Sequence, residues 1–266
     1  MPRAELGEPS SLSNKVPEVT IYFWIIKVMA TTVGETAADL LSTRLDFGLT
    51  VTSYVMSAVF IGFLILQVRA RRYQPPLYWV TVVLISIVGT LISDNLVDGM
   101  GIGLVTTSIA FGVVLAAVFT IWFGMERTLS IHTIFTVRRE LFYWAAILFT
   151  FAMGTSVGDL LAERLDLGYR QALAVFGAMI GVVALAHYAL KIDGILSFWL
   201  AYILTRPLGA SLGDLLAKPQ IASGWGWGTV TTSLIFLAVI LLLVAFLTIS
   251  RLDQISSAPR EANSDA

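Results

Sequence analysis

The sequence lacks cysteine altogether, has only two histidines, and carries charge on only 13% of its 266 residues. The absence of thiols excludes disulfides, thiolate metal sites and a cysteine nucleophile, and leaves the redox compartment unread. His132 and His187 are spaced neither as metal ligands nor as a dyad, and no phosphate-binding loop or serine elbow occurs. The expectation is therefore no enzyme and no cofactor. A formal net charge of −1 offers a polyanion little, which argues against a nucleic-acid partner. Residues 1–16 hold Pro2, Glu5, Glu8 and Pro9 but no apolar core with a cleavage site, so they are not read as a cleavable signal peptide.

What the chain has in quantity is apolar side chains, 57% of the total. They fall in runs near the roughly 20 residues that span a bilayer. Spans are expected at 18–41, 49–68, 77–97, 104–125, 141–162, 169–190, 195–217 and 229–250. The predicted fold class is an all-α membrane protein of eight transmembrane helices. Its expected organisation is a disordered N-terminus (1–16), a first half of four helices (17–128), a connecting loop (129–140), a second half of four helices (141–250) and a disordered tail (251–266).

A repeat organises these helices. Trp24, Trp79, Trp144 and Trp199 each precede a glycine at a constant spacing: Gly34, Gly89, Gly154 and Gly209. Each glycine in turn precedes an aspartate: Asp39, Asp94, Asp159 and Asp214. A small residue, Ala38, Ser93, Gly158 or Gly213, stands directly before each aspartate. Each repeat holds two spans, so all four enter the membrane in the same direction and the implied pseudo-symmetry axis lies along the membrane normal, unlike that of an inverted repeat. Arg44 to Gly48 matches Arg164 to Gly168, and Val105 to Ser108 matches Val230 to Ser233, which groups the repeats into two halves.

This pattern resembles a family of bacterial membrane proteins defined by four tandem copies of a two-helix repeat with a characteristic tryptophan, catalogued as a repeat of unknown function. The resemblance covers about residues 16–250 and places the family tryptophan at Trp24, Trp79, Trp144 and Trp199. It implies the fold and a bacterial inner-membrane location, and brings no activity with it.

The positive charges supply an orientation. Arg3, Lys15, Arg69, Arg71, Arg72, Arg127, Arg138, Arg139, Lys191, Arg251 and Arg260 fall on the side of the termini, against Arg44, Arg164, Arg170 and Lys218 opposite. The positive-inside rule then puts both termini in the cytoplasm. On that orientation the four tryptophans are expected as interface anchors, with the lipid bilayer as their partner. The glycines, with Gly158 and Gly213, are expected to let the odd-numbered helices pack closely, or to permit a helix break beside the aspartate. Trp225 and Trp227 look like an aromatic belt segment or a mobile flap.

The aspartates carry the functional argument. A carboxylate in a helix centre costs about 2.5–3.5 kcal/mol on insertion scales, less near the interface. Asp also sits late in its helix, where the macrodipole disfavours an anion. Three readings stay open: structural turns that accept hydrogen bonds, a cation or proton site, and oligomer or lipid-headgroup contacts. Lys27, Thr31, Glu35 and Asp39 form one polar stripe at helical spacing, and Ser86, Thr90 and Asp94 repeat it. Arg206 and Glu35 occur in one repeat each and are expected to pair, with Lys27 neutralising a further acid. Hydroxyls at the starts of the even helices, Thr50, Thr52, Ser53, Thr106, Thr107, Ser108, Thr231, Thr232 and Ser233, are expected near the depth of the aspartates; such oxygens suit hard cations, and helix capping is the alternative reading. The leading expectation is a transporter or channel-like protein for a small cation, divalent ions and proton coupling included. The alternative is a non-transporting scaffold or accessory subunit with structural aspartates.

Overall fold

The computed structural model describes residues 14–45, 47–222 and 224–254. They form eight long α-helices and, among the described residues, no strand: α1 (Ile21–Asp39), α2 (Leu49–Arg69), α3 (Pro75–Asp94), α4 (Leu104–Glu126), α5 (Val137–Asp159), α6 (Gly168–Leu190), α7 (Gly194–Ala217) and α8 (Thr229–Ser250). The starts follow local chemistry. Thr20, Thr136 and Asp193 accept hydrogen bonds from the N–H groups of Phe23, Arg139 and Leu196, and α3 opens on a proline, which has no N–H to leave unsatisfied. α4, α6 and α8 end on left-handed Arg127, Lys191 and Arg251.

Seven helices, α2 to α8, are long and apolar enough to cross a membrane. The eighth expected span, 18–41, falls on α1, which is not among these seven; Lys27, Glu35 and three threonines reduce its apolar character. Its neighbours explain how it can be so polar: α1 lies against α3, α7 and α8, and most of its side chains are buried.

The helices form two concentric rings. α1 packs on α3, α3 on α5, α5 on α7, and α7 back on α1. Each even helix covers the odd helix of the next repeat: α2 on α3, α4 on α5, α6 on α7 and α8 on α1. In the most apolar window of each, 50–56% of α3, α5 and α7 is buried, against 6–22% of the even helices, so the odd helices are the inner ring.

The repeat glycines close that ring. A Cβ on Gly34 would collide with Ser86, one on Gly89 with Phe151, one on Gly154 with Arg206, and one on Gly209 with Thr31. In every case the partner stands three residues before the glycine of the next repeat, so the same knob enters the same hole four times around. Gly213 approaches the Thr32 carbonyl oxygen at 3.3 Å from its Cβ position, whereas Gly158 has ordinary contacts. No helix breaks at these glycines. α5 and α7 run through them, and α7 also runs through Pro207.

Three of the four tryptophans lack the exposed indole expected of an interface anchor. Trp79, Trp144 and Trp199 are 1–4% exposed, and only Trp24 is half-buried. Phe23 meets Trp79, Tyr78 meets Trp144, Tyr143 meets Trp199 and Phe198 meets Trp24, with ring centroids 5.6–6.2 Å apart. Each pair joins one repeat to the next, so the indoles form the floor of the inner ring. Trp144→Ala is expected to lower stability by about 3–5 kcal/mol. Trp225→Ala and Trp227→Ala, in an exposed loop, should stay within about 0.5 kcal/mol, as read by thermal melting in detergent.

Residues 14–18 lie against this floor. Lys15 Nζ meets Glu140 Oε2 and the Val68 carbonyl oxygen, each at 2.8 Å, and the Glu18 N–H donates to the Asp253 carbonyl oxygen at 2.9 Å. The Tyr73 hydroxyl donates to the Asp253 carboxylate. Residues 14–16 and Asp253 are buried, at the inner edges of the two segments expected to be disordered, while 1–13 and 255–266 lie outside the described residues.

A candidate cation site in the inner ring

The inner ring is built in layers, because helical spacing of four stacks equivalent positions of the four repeats along one axis. Above the aromatic floor come Lys27, Val82, Ile147 and Tyr202. Next are Thr31, Ser86, Phe151 and Arg206, and then Glu35, Thr90, Thr155 and Ala210. Asp39, Asp94, Asp159 and Asp214 end the series.

Arg206, fully buried, ties the middle layers together. Its Nη2 donates to Glu35 Oε2 at 2.8 Å, to Thr155 Oγ1 at 2.6 Å and to Thr90 Oγ1. Its Nη1 donates to the Thr31 carbonyl oxygen at 2.9 Å, and its Nε to that of Phe151 at 3.4 Å. The ion pair expected between α1 and α7 is thus present, and one guanidinium joins all four odd helices. Gly154 leaves room for its stem.

Lys27 behaves differently from expectation. Its Nζ lies 4.0 Å from the centroid of Tyr202 and 4.3 Å from that of Phe151, with no hydrogen-bond partner among the described residues. It neutralises no carboxylate; it faces aromatic rings one layer below Arg206.

The four aspartates converge. Neighbours around the ring interact electrostatically, Asp39 with Asp94, Asp94 with Asp159, Asp159 with Asp214 and Asp214 with Asp39, and each of the four also interacts with Glu35. Carboxylate oxygens of Glu35, Asp159 and Asp214 lie within 4.8 Å of one another. Asp214 and Glu35 are buried, and Asp39, Asp94 and Asp159 are half-buried. After Asp39, Asp94 and Asp159 the helix widens into a π-helical turn, Leu40–Arg44, Asn95–Gly99 and Leu160–Arg164, and none of the three aspartates caps it with its side chain. After Asp214 the chain instead folds back, and the N–H groups of Trp225, Trp227 and Gly228 donate to the carbonyl oxygens of Leu215, Leu216 and Ala217. These bonds tie the backbone of the segment expected as an aromatic belt segment or a mobile flap, and leave Trp225 and Trp227 about half exposed.

Lys218 stands at the rim, 3.5 Å from Asp214 Oδ1 and 3.3 Å from Glu163 Oε1. Burial alone would lower its pKa, but Asp214, Tyr169 and Glu163 outweigh that and hold the ammonium well above the usual lysine range. Among the described residues the hydroxyls of the even helices make no hydrogen bond to the aspartates. Ser53 pairs with Asn95 at 2.6 Å and Ser233 with Thr36 at 2.6 Å, so they bind one helix to another. Sequence spacing also missed that His132 and His187 line one cavity of about 800 Å³ between α1, α6, α7 and the loop before α5, beside Trp24 and away from the aspartates.

Seven helices long and apolar enough to cross a membrane, the even ones with apolar side chains turned outward over a polar inner ring, define a multi-pass membrane protein. The chain belongs to the family described as Repeat of Unknown Function (DUF347), which it matches in four tandem copies at residues 22–73, 77–128, 142–193 and 197–253. No curated protein and no solved structure matches it.

Proposed function

We propose that the protein passes a small cation across a bacterial inner membrane, using the carboxylate layer as its binding site. In this reading all eight helices span the bilayer, with α1 shielded from lipid by its neighbours. The pseudo-fourfold axis follows the membrane normal. The positive-inside balance places both termini in the cytoplasm, with the aspartates towards the opposite face.

One observation carries the reading. Five carboxylates, Glu35 and the four aspartates, surround one axis, and among the described residues only Arg206 and Lys218 are paired with them. Asp39, Asp94 and Asp159 accept no hydrogen bond from the described residues, which a purely structural carboxylate in a membrane helix would need. Clustered carboxylate oxygens are the ligands of hard cations such as Mn²⁺, Mg²⁺ or Ca²⁺.

The test is Asp→Asn at 39, 94, 159 and 214, one at a time, with Mn²⁺ flux in proteoliposomes and Mn²⁺-dependent thermal stabilisation as readouts. Asp159→Asn and Asp214→Asn are expected to lower the apparent Mn²⁺ affinity by about tenfold or more, since each removes a charged ligand. Unchanged binding and flux in all four folded variants would remove the aspartates from the mechanism. The sealed aromatic floor favours the second reading, a scaffold or accessory subunit. That reading gains if the same variants lose folding yield while no cation stabilises the wild-type protein.

A further inference from the structure

We infer that Arg206 is a tethered cation that fills an ion station of its own and must leave it before an ion can pass. The inference rests on the cation reading above and specifies how that pathway is held shut.

The position is singular. At the equivalent site the other repeats carry Thr31, Ser86 and Phe151, none of them charged. The guanidinium donates hydrogen bonds to five oxygens: the carbonyls of Thr31 and Phe151, the hydroxyls of Thr90 and Thr155, and one carboxylate oxygen of Glu35. Thr31, Thr90, Phe151 and Thr155 are fully buried, and Glu35 is 6% exposed. Two carbonyls, two hydroxyls and a carboxylate, supplied by α1, α3 and α5, are the oxygen types that coordinate a hard cation. Here α7 supplies the cation.

Glu35 faces both ways. The residue that pairs with Arg206 also has a carboxylate oxygen within 4.8 Å of Asp159 and Asp214. An ion held by those aspartates therefore competes with Arg206 for Glu35 and repels it. Arginine does not lose its proton in proteins, so the block is lifted only by moving the side chain. Pro207, the next residue, lacks the N–H that would bond the Ile203 carbonyl oxygen, which loosens α7 at this point. Below the station, Lys27 lies with Nζ against Phe151 and Tyr202, so its side chain stands between the station and the floor.

Purified protein and proteoliposomes test this with Arg206→Ala and Arg206→Lys, using Mn²⁺ as the ion. Arg206→Ala is expected to bind Mn²⁺ about tenfold more tightly and to raise passive Mn²⁺ flux by a similar factor. Free guanidinium ion should reverse both changes by refilling the vacated station, while leaving wild type unaffected at the same concentration. Arg206→Lys keeps the charge but reaches fewer oxygens, so its flux should fall between the two; if Arg206→Ala does not fold, this variant and its Mn²⁺ affinity carry the test. The inference is overturned if the folded Arg206 variants leave affinity and flux unchanged or lowered, or if guanidinium does not reverse the gain in Arg206→Ala. If the Asp variants weaken Mn²⁺ binding while Arg206 variants change nothing, the plug alone falls. If neither set alters Mn²⁺ binding, the cation reading falls with it.

Discussion

Arg206→Met or Glu35→Gln should each destabilise the protein in detergent by about 3–5 kcal/mol, because each leaves its partner charged and buried. The geometry makes the case concrete. Arg206 is wholly inaccessible, and its five acceptors lose their donor together if the guanidinium is removed. The double variant should lose clearly less than the sum of the two, since neither charge is then stranded. Thermal melting of the three variants, with detergent and lipid held constant, checks this. The pairs of Arg138 and Arg139 with Glu126 at the bundle end give the contrast. Arg138 is well exposed, so breaking its pair should cause no comparable loss. Additive losses at Arg206 and Glu35 would show that the two are not energetically coupled.

A methyl group at the repeat glycines should be nearly as damaging. Gly209→Ala forces a Cβ into Thr31, with the Val28 carbonyl oxygen 3.0 Å away, and Gly34→Ala drives one into Ser86, whose backbone carbon is also 3.0 Å away. Neither neighbour can yield by side-chain rotation alone, so the helices must separate. Overpacking of this kind costs about 1–3 kcal/mol, and more where backbones move. Gly62 in α2, Gly124 in α4 and Gly181 in α6 meet nothing within 4 Å, so Ala at those positions should be neutral within about 1 kcal/mol. Folded yield and melting temperature across the two sets measure the difference. Equal tolerance in both sets would contradict the closed inner ring.

Much of the architecture was legible from sequence, and particular residues show why. The spans follow from run length, and the observed helices match the expected boundaries within a few residues, except that α5 starts inside the expected loop at Val137. The register of Trp, Gly and Asp identified the four equivalent positions because covalent spacing on a helix fixes which side chains share a face. The Arg206 and Glu35 pair was legible because two unrepeated opposite charges in apolar helices need each other.

The burial of Trp79, Trp144 and Trp199 was not legible for a related reason. An indole at a span's end suits the lipid interface and a packed protein core equally well, and composition does not separate the two. Only the neighbouring repeat does so, by placing Phe23, Tyr78, Tyr143 and Phe198 against the next tryptophan around the ring. Lys27 was assigned to a carboxylate by charge, yet it stands a layer too far towards the floor and meets aromatic faces.

The sequence by itself determined eight helices, their four-part equivalence and a line of polar side chains along each odd helix, because all of these depend on local spacing and hydropathy. The tertiary structure decided what those lines meet. Closure of the ring, α7 against α1, turns four separate stripes into shared layers, brings Asp39, Asp94, Asp159 and Asp214 about Glu35, and puts Arg206 among oxygens from three other helices. Contacts between residues so distant along the chain depend on packing, and no local pattern encodes which helix closes the ring.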